Sequence, residues 1–404
     1  MKDNINQTNG NRIFGNELKY LNEVIKTEFR SSKGSIMTNR LEQLFAKKFD
    51  SDYAISFVNG TTTMHSALEA FGVQSGDEVI VTPLTMSATT FAVLQANATP
   101  VFADVEEDTF QISPTSIEKC ITKKTKAIIT VALYGLSPDM DKIMEIAKKH
   151  GLFVIEDNAE CFLGKYKNKI VGTLGDCASF SFQSSKHLTS GEGGMIITKN
   201  VEIAEKIRKI QSLGYAGVSA TKGKITKKDI QDPNYSRHVS MGWNYRMPEL
   251  CAAVALAQVE NIETLVNQRC KVAKLFDEAS QGFEWFKPQN VGVNYKSSYW
   301  TWVANLDRND ISWHQFRDKF MEYGGDGIYA AWKLTYLEPM FKNLNLLGRE
   351  KFISNENLIK YKTGLCPVAE KITPNLLQFK TNYWDISQAE EQAFILRKTL
   401  KNFN

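Results

Sequence analysis

Short apolar runs rich in β-forming residues alternate with amphipathic segments through the first half of the chain. Apolar residues recur at helical spacing over residues 39–49, and the strand-like runs come after them. The predicted strands are residues 54–58, 78–82, 99–104, 127–133, 153–156, 178–182 and 195–198. Because strands separated by helices form parallel sheets covered on both faces, the pattern predicts an α/β fold with a mostly parallel seven-stranded sheet.

The second half of the chain has longer helical patterns and a separate strand. Residues 201–213 and 248–269 predict helices, and residues 214–240 between them form an irregular polar stretch. Residues 300–305 predict a strand well beyond the second helix. We therefore expect three parts, listed here: an N-terminal arm (1–14), a large domain (15–262) and a smaller C-terminal α/β domain (263–404).

Composition narrows the class of protein. Hydrophobic residues make up 43% of the 404 residues and charged residues 23%, as in ordinary globular proteins. The formal net charge of +4 is small for this length, so we expect no nucleic-acid partner. No apolar stretch approaches membrane-spanning length, and the polar N-terminus lacks the apolar core of a signal peptide. The sequence therefore predicts a cytoplasmic protein with no membrane partner.

The cysteines and histidines do not indicate a metal site. The 6 cysteines and 5 histidines are scattered along the chain and show no metal-ligand spacing. His187 follows a lysine of interest, and a structural hydrogen bond is the favoured interpretation of this histidine over tuning of the site. We predict no bound metal.

A lysine and an acid follow two of the predicted strands. Asp157 comes at the end of the strand 153–156, and Lys186 lies in a glycine-rich turn after the strand 178–182. Ligands of parallel α/β sheets bind beyond the carboxyl ends of the strands. Pyridoxal 5′-phosphate (PLP) needs this pair, because a lysine holds its aldehyde as a Schiff base and an acid keeps its pyridine nitrogen protonated. Taken alone, Lys186 could equally be a surface lysine, and Asp157 could equally be an aspartate that caps a helix.

The motifs around this pair occur in the order of a known family. Residues 156–160, 175–176, 181, 186 and 191–194 resemble the DegT/DnrJ/EryC1/StrS sugar aminotransferases. Residues 59–65 resemble that family's phosphate-binding turn, and residues 242–247 resemble its partner-subunit motif. The similarity runs from about residue 15 to residue 263, with a fainter trace to the end. It implies a PLP-dependent transferase type I fold, like that of aspartate aminotransferase, and PLP as the cofactor.

The resemblance assigns the phosphate of PLP to a helix start. Gly60, Thr61 and Thr62 open a predicted helix, whose first amides have no internal partner and so attract anions. The family pattern adds the hydroxyl of Ser181. It also adds Asn244 from the other subunit, which implies a homodimer with shared active sites.

The resemblance assigns the ring of PLP to four further positions. Asp157 would pair with the pyridinium nitrogen, and Glu160 would lie near the ring hydroxyl. Lys186 would bind the aldehyde and, once displaced, carry the proton between the two reacting carbons. Met86 stands where the family usually has an aromatic residue on the ring. Because methionine covers a ring less rigidly, we expect looser cofactor binding.

The candidate substrate residues are Tyr245, Arg246, Tyr329 and Trp332. Arg246 suits either an anionic substrate group or a brace across the dimer, and the brace is favoured. Tyr329 and Trp332 suit stacking on a sugar ring, although packing is the more frequent role. Residues 222–228 are rich in lysine, and a solvated charge run is favoured over a loop that closes on a partner's site.

The resemblance implies transfer of an amino group from an amino acid to a keto-sugar, and L-glutamate is the expected donor. A nucleotide-linked sugar in surface-glycan biosynthesis is the leading prediction. Three alternatives remain: the same chemistry on a nucleotide-free carbonyl, such as an oxidised octulosonic acid or a triose phosphate; a PLP-dependent sugar dehydratase; and a non-catalytic PLP-binding regulator. Some dehydratase relatives have histidine at the lysine position, so Lys186 favours amino transfer.

Overall fold

The computed structural model describes residues 12–29, 36–343 and 360–404. In chain order its strands are β1 Tyr53–Phe57, β2 Glu78–Val81, β3 Thr99–Phe102, β4 Thr125–Val131, β5 Phe153–Asp157, β6 Lys165–Tyr166, β7 Lys169–Ile170, β8 Cys177–Ser181, β9 Gly194–Thr198, β10 Phe286–Pro288, β11 Tyr295–Lys296, β12 Thr301–Leu306, β13 Tyr329–Ala330 and β14 Leu376–Lys380. The helices are α1 Asn16–Lys26, α2 Met37–Lys48, α3 Gly60–Ala70, α4 Ala88–Gln95, α5 Pro114–Cys120, α6 Met140–His150, α7 Val201–Gln211, α8 Lys227–Gln231, α9 Glu249–Glu260, α10 Ile262–Ser280, α11 Trp313–Glu322, α12 Pro339–Asn343, α13 Pro367–Ile372 and α14 Ile386–Asn402. None of the helices in these ranges combines the length and the apolar character needed to cross a bilayer.

The main sheet has seven strands in the order β1-β9-β8-β5-β4-β2-β3. Strand β9 pairs antiparallel with both of its neighbours, and the other pairs are parallel. Alternate side chains of each strand enter different cores: Ile155 of β5 packs with α3, α4 and α7, whereas Val154 packs with α5 and α6. Helices therefore cover both faces, and the predicted mostly parallel seven-stranded α/β fold is confirmed.

A second, antiparallel sheet follows in the order β10-β12-β14-β13. It packs on α10, α11 and α14 around Phe276, Trp302 and Phe379. Two aromatic residues of the C-terminal part, Tyr336 and Tyr361, are instead buried in the core of the main sheet. The predicted domain limits of 15–262 and 263–404 stay predictions. Of the predicted N-terminal arm, residues 1–11 lie outside the described residues.

The sequence prediction of one helix over residues 248–269 is wrong. The structure has two helices, α9 and α10, which meet at Asn261 with a backbone φ of −112° and ψ of 16°. The side-chain amide of Asn261 donates to the Ala257 carbonyl at 3.0 Å, and the backbone N–H of Asn261 donates to the Gln258 carbonyl at 3.1 Å. Asparagine favours such local bonds over the regular helical ladder, which explains the break.

Candidate active site

The carboxyl ends of β5 and β8 form one edge of the main sheet. Asp157 is the last residue of β5, and it lies opposite Ser179 in the parallel pair with β8. Beyond Ser181 the chain turns, and the Lys186 N–H bonds the Gln183 carbonyl at 3.0 Å. A cavity of about 620 Å³ opens at this edge. Eight of the predicted site residues line this cavity: Gly60, Thr61, Met86, Asp157, Glu160, Ser181, Lys186 and Trp332.

The Lys186 side chain is largely enclosed, with 11% of its surface exposed. Its Nζ lies 3.5 Å from Oε1 of Glu160 and 4.4 Å from the centre of the Trp300 ring. Trp300 was not among the predicted site residues. It directly precedes β12, and no sequence signal shows that this strand begins beside residues 183–186, which we call the lysine turn.

The Asp157 carboxylate is buried and held from two sides. The Thr89 hydroxyl donates to Oδ2 at 2.8 Å, and the Ala159 N–H donates to Oδ1 at 3.1 Å. Burial raises the pKa of Asp157, while these two hydrogen bonds and the charge of Lys186 oppose the rise. A fixed carboxyl group in a dry site fits a cationic ring nitrogen. Thr89, in the first turn of α4, is a site residue that the sequence prediction missed.

Glu160 is the second buried acid of the cavity. Its Oε2 accepts the Tyr134 N–H at 3.0 Å, which turns Oε1 toward Lys186. Burial raises the pKa of Glu160, and the charge of Lys186 opposes that rise. The carboxyl group therefore has a fixed orientation beside the lysine amine, next to the place predicted for the ring hydroxyl.

The first turn of α3 forms the other end of the cavity. Asn59 caps the helix by accepting the Thr62 N–H at 3.0 Å, and the Thr62 hydroxyl donates to the Asn59 carbonyl at 2.9 Å. Thr62 is thus engaged within its own helix and does not line the cavity. The N–H groups of Gly60 and Thr61 have no partner inside the helix, and both residues line the cavity together with Ser181.

Two glycines leave room for this approach of helix to strand. A Cβ on Gly60 would lie 3.1 Å from the Ser181 Cβ, and one on Gly194 would lie 2.6 Å from the Asn59 carbonyl carbon. The close contact places helix amides and the Ser181 hydroxyl around one small volume. This donor set fits a phosphate dianion, and together with Lys186 and Asp157 it fits PLP.

Met86 lies at the cavity wall with 52% of its surface exposed. An exposed, flexible side chain gives weak cover to a flat ring. We predict that Met86→Tyr tightens binding of PLP about three- to tenfold, because aromatic stacking adds about 0.5–1.5 kcal/mol. Equilibrium dialysis of the two proteins measures this change. Met86→Leu is the matched control and should bind PLP like wild type; equal affinity in all three proteins would contradict the prediction.

Besides Thr62, four predicted site residues do not reach this cavity within the chain. The Asn244 Oδ1 accepts from the Arg246 Nε at 3.0 Å, and the Tyr245 hydroxyl bonds His65 Nδ1 at 3.1 Å. Arg246 lines a different cavity of about 600 Å³, and Tyr329 on β13 is 59% exposed. Their predicted roles, including the reach of Asn244 into a partner subunit, stay predictions.

The His187 ring is fully buried behind the lysine turn. Its Nε2 lies 2.9 Å from the Ser298 carbonyl, which can only accept, so Nε2 carries the proton. Burial, followed by the charge of Arg269, holds the pKa of His187 well below its usual range. The imidazole therefore stays neutral and has the structural hydrogen bond expected from the sequence.

A neutral buried histidine makes stability depend on pH. Below about pH 6.5 the unfolded state takes up a proton at His187 that the folded state does not. We expect the free energy of unfolding to fall by up to about 1.4 kcal/mol per pH unit below that point. His187→Gln should keep the bond to Ser298 and remove this component. Urea titrations at pH 7, 6 and 5 give the free energy of unfolding of both proteins at each pH. The same change of this free energy with pH in wild type and His187→Gln would contradict the prediction.

A parallel α/β sheet with a lysine, a buried acid and a helix N-terminus at its carboxyl edge is the architecture of the PLP-dependent aminotransferases of the aspartate-aminotransferase type. Comparison with known proteins agrees with this class. The chain belongs to the DegT/DnrJ/EryC1/StrS aminotransferase family, which it matches over residues 11–376. Membership confirms the expected enzyme class and implies PLP as the cofactor.

Individual relatives are similar over most of their length. The chain is 40% identical to a GDP-perosamine synthase of Escherichia coli O157:H7 over 264 residues, which is 65% of this chain and 68% of the relative. It is 38% identical to a GDP-perosamine synthase of Caulobacter vibrioides over 298 residues, 73% of this chain and 76% of the relative. An aminotransferase structure from Psychrobacter cryohalolentis superposes with a TM-score of 0.84 at 27% identity, covering 96% of this chain and 98% of the other.

Proposed function

We propose that the protein is a homodimeric PLP-dependent aminotransferase that moves an amino group from L-glutamate to a keto-sugar linked to GDP, in glycan biosynthesis. The observation that carries the proposal is the position of Lys186. Its amine lies beside Glu160 in a cavity that also contains the buried Asp157 and the start of α3. This arrangement occurs in a chain of an aminotransferase family.

Each side chain of the site has a distinct task in this proposal. PLP, when bound, supplies an electron sink for the bond broken at the amino-bearing carbon. The Asp157 carboxylate would pair with the ring nitrogen, and the amides of Gly60 and Thr61 with the Ser181 hydroxyl would hold the phosphate. The Lys186 Nζ would take the proton from the amino-bearing carbon of the donor, and in the second half-reaction it would deliver a proton to the sugar carbon that receives the amino group.

The cavity walls support a sugar substrate. Trp300 and Trp332 both line the cavity and stack on each other with ring centres 5.9 Å apart, and Trp332 also stacks on Tyr134 at 6.4 Å. Flat aromatic faces at a cavity wall suit the apolar face of a sugar ring. The nucleotide is proposed from the relatives, two of which are named GDP-perosamine synthase.

The test is transfer of labelled nitrogen. The PLP-loaded protein is incubated with amino-¹⁵N L-glutamate and keto-sugars linked to GDP, UDP or dTDP, and the products are analysed by mass spectrometry. Amino sugar carrying ¹⁵N, formed fastest from the GDP substrate, is expected. Equal rates with nucleotide-free carbonyls would favour that alternative, and loss of water without consumption of glutamate would favour the dehydratase. Failure of the protein to react with L-glutamate would contradict the proposed donor, and a panel of other amino acids would then identify the true amino donor.

A further inference from the structure

Trp300 contacts the lysine turn through both the face and the N–H of its ring. The ring face lies 4.4 Å from the Lys186 Nζ, on the cavity side of the turn. The ring Nε1–H donates to the Ser185 carbonyl at 2.9 Å. The tryptophan therefore contacts the amine and also the backbone of the residue that precedes the lysine.

The backbone of Trp300 is held as firmly as its ring. The buried Arg269 of α10 donates through Nη1 to the Trp300 carbonyl at 2.7 Å, and through Nη2 to the carbonyls of Ser185 and Lys186 at 3.0 and 3.2 Å. The Thr381 hydroxyl also contacts the Trp300 carbonyl, at 2.9 Å. One guanidinium group thus joins the lysine turn to the start of β12 and fixes the distance between Trp300 and the lysine.

We propose that Trp300 is a positioning residue that, together with Glu160, holds the Lys186 amine whenever that amine is not covalently bonded. The inference rests on the proposed function, in which the amino donor displaces the lysine. A displaced lysine has a flexible four-carbon stem, and its ammonium form is attracted by an aromatic face on one side and a carboxylate on the other. Held there, the Nζ stays within reach of the carbon whose proton it moves.

As a positioning residue, Trp300 differs from a residue that only packs in the core. A packing residue would be replaced without loss by another apolar side chain, whereas a cation-holding residue needs an aromatic face. Trp300→Phe keeps a face and loses only the bond to the Ser185 carbonyl. Trp300→Leu removes the face. Trp285→Leu is the matched control, because Trp285 also lies under a cation, Arg308 at 4.9 Å, away from the site.

The first readout is chemical labelling of lysines in the protein without added PLP. Limiting acetic anhydride is applied at fixed pH, and acetylation at Lys186 is measured by peptide mass spectrometry relative to the exposed Lys142. An amine held between a ring and a carboxylate is shielded from the reagent. In Trp300→Leu we expect Lys186 labelling to rise about 2- to 30-fold, the range set by a cation–π contact. In Trp300→Phe the rise should stay below about threefold, and Trp285→Leu should match wild type.

The second readout is the single-turnover rate of the PLP-loaded proteins with L-glutamate. Trp300→Leu should slow the step at saturating donor, with little change in the donor concentration for half-saturation. Equal labelling of Lys186 in the Leu and Phe variants overturns the inference even where amino transfer is observed. Absence of amino transfer in the wild type overturns the proposed function, and the labelling comparison separates the two failures. If Trp300→Leu does not fold, Trp300→Met serves the same comparison.

Discussion

Lys186→Ala is expected to abolish amino transfer and leave the fold intact. The Nζ is both the covalent partner of PLP and the proton carrier in the proposed function, and proton transfer alone contributes about 10²–10⁴-fold to rate. We therefore expect turnover to fall by at least about 10³-fold. The loss of the amine leaves Glu160 without its nearest cation, but this buried carboxyl group can take up a proton, because burial raises its pKa. Turnover and thermal unfolding of the variant measure the two parts of the prediction.

The matched control for this variant is Lys142→Ala. Lys142 pairs with Asp139 on the surface, and 69% of its side chain is exposed. It should retain wild-type turnover, since surface ion pairs contribute little. Addition of a small primary amine such as methylamine should restore part of the activity of Lys186→Ala, because it replaces the missing proton carrier. Wild-type turnover in Lys186→Ala would exclude the proposed mechanism.

Asp157→Asn is expected to have the second-largest effect. The asparagine keeps the shape of the side chain and can still accept a hydrogen bond, so the contact with Thr89 can persist. It cannot carry the negative charge that stabilises a protonated ring nitrogen in a water-excluded site. Loss of one such preorganised electrostatic contact typically costs about 10²–10³-fold in turnover. The half-reaction with L-glutamate, followed by the visible absorption of the bound cofactor, measures this loss directly.

Thr89→Val provides the comparison for this second prediction. It removes the hydroxyl that donates to the Asp157 Oδ2 and leaves the charge in place. A single hydrogen bond to a charged group is worth about 1.5–3 kcal/mol, so the rate should fall by about 10- to 100-fold. The order of effects, with Asp157→Asn the more damaging, is the decisive result. The reverse order would show that the position of the carboxyl group matters more than its charge.

The main sheet and its site edge could be predicted because local patterns determine them. Apolar runs separated by helices predict parallel strands, and parallel strands place their carboxyl ends together. Asp157 and Ser181 could thus be expected at one edge from sequence alone, and β5 and β8 are indeed neighbours.

The rest of the site depends on contacts between distant parts of the chain. The bond from Trp300 to Ser185 joins residues 115 positions apart, and the bond from Thr89 to Asp157 joins residues 68 positions apart. No hydrophobic period encodes such pairs. Asn59 likewise engages both the N–H and the hydroxyl of Thr62 within α3, and a Gly-Thr-Thr motif does not reveal which threonine hydroxyl bonds its own helix.

Arg269 sets a constraint on how this protein can be recombined with its relatives. One guanidinium binds carbonyl groups of the lysine turn and of Trp300 at the start of β12, and it also reaches the Thr381 hydroxyl at 3.1 Å. A chimaera that takes its C-terminal half from another family member would separate these partners. Swapping segments between family members to change the substrate should therefore work only when α10, β12 and the end of β14 come from one parent. The lysine turn must come from that parent as well, so that Arg269 keeps its partners.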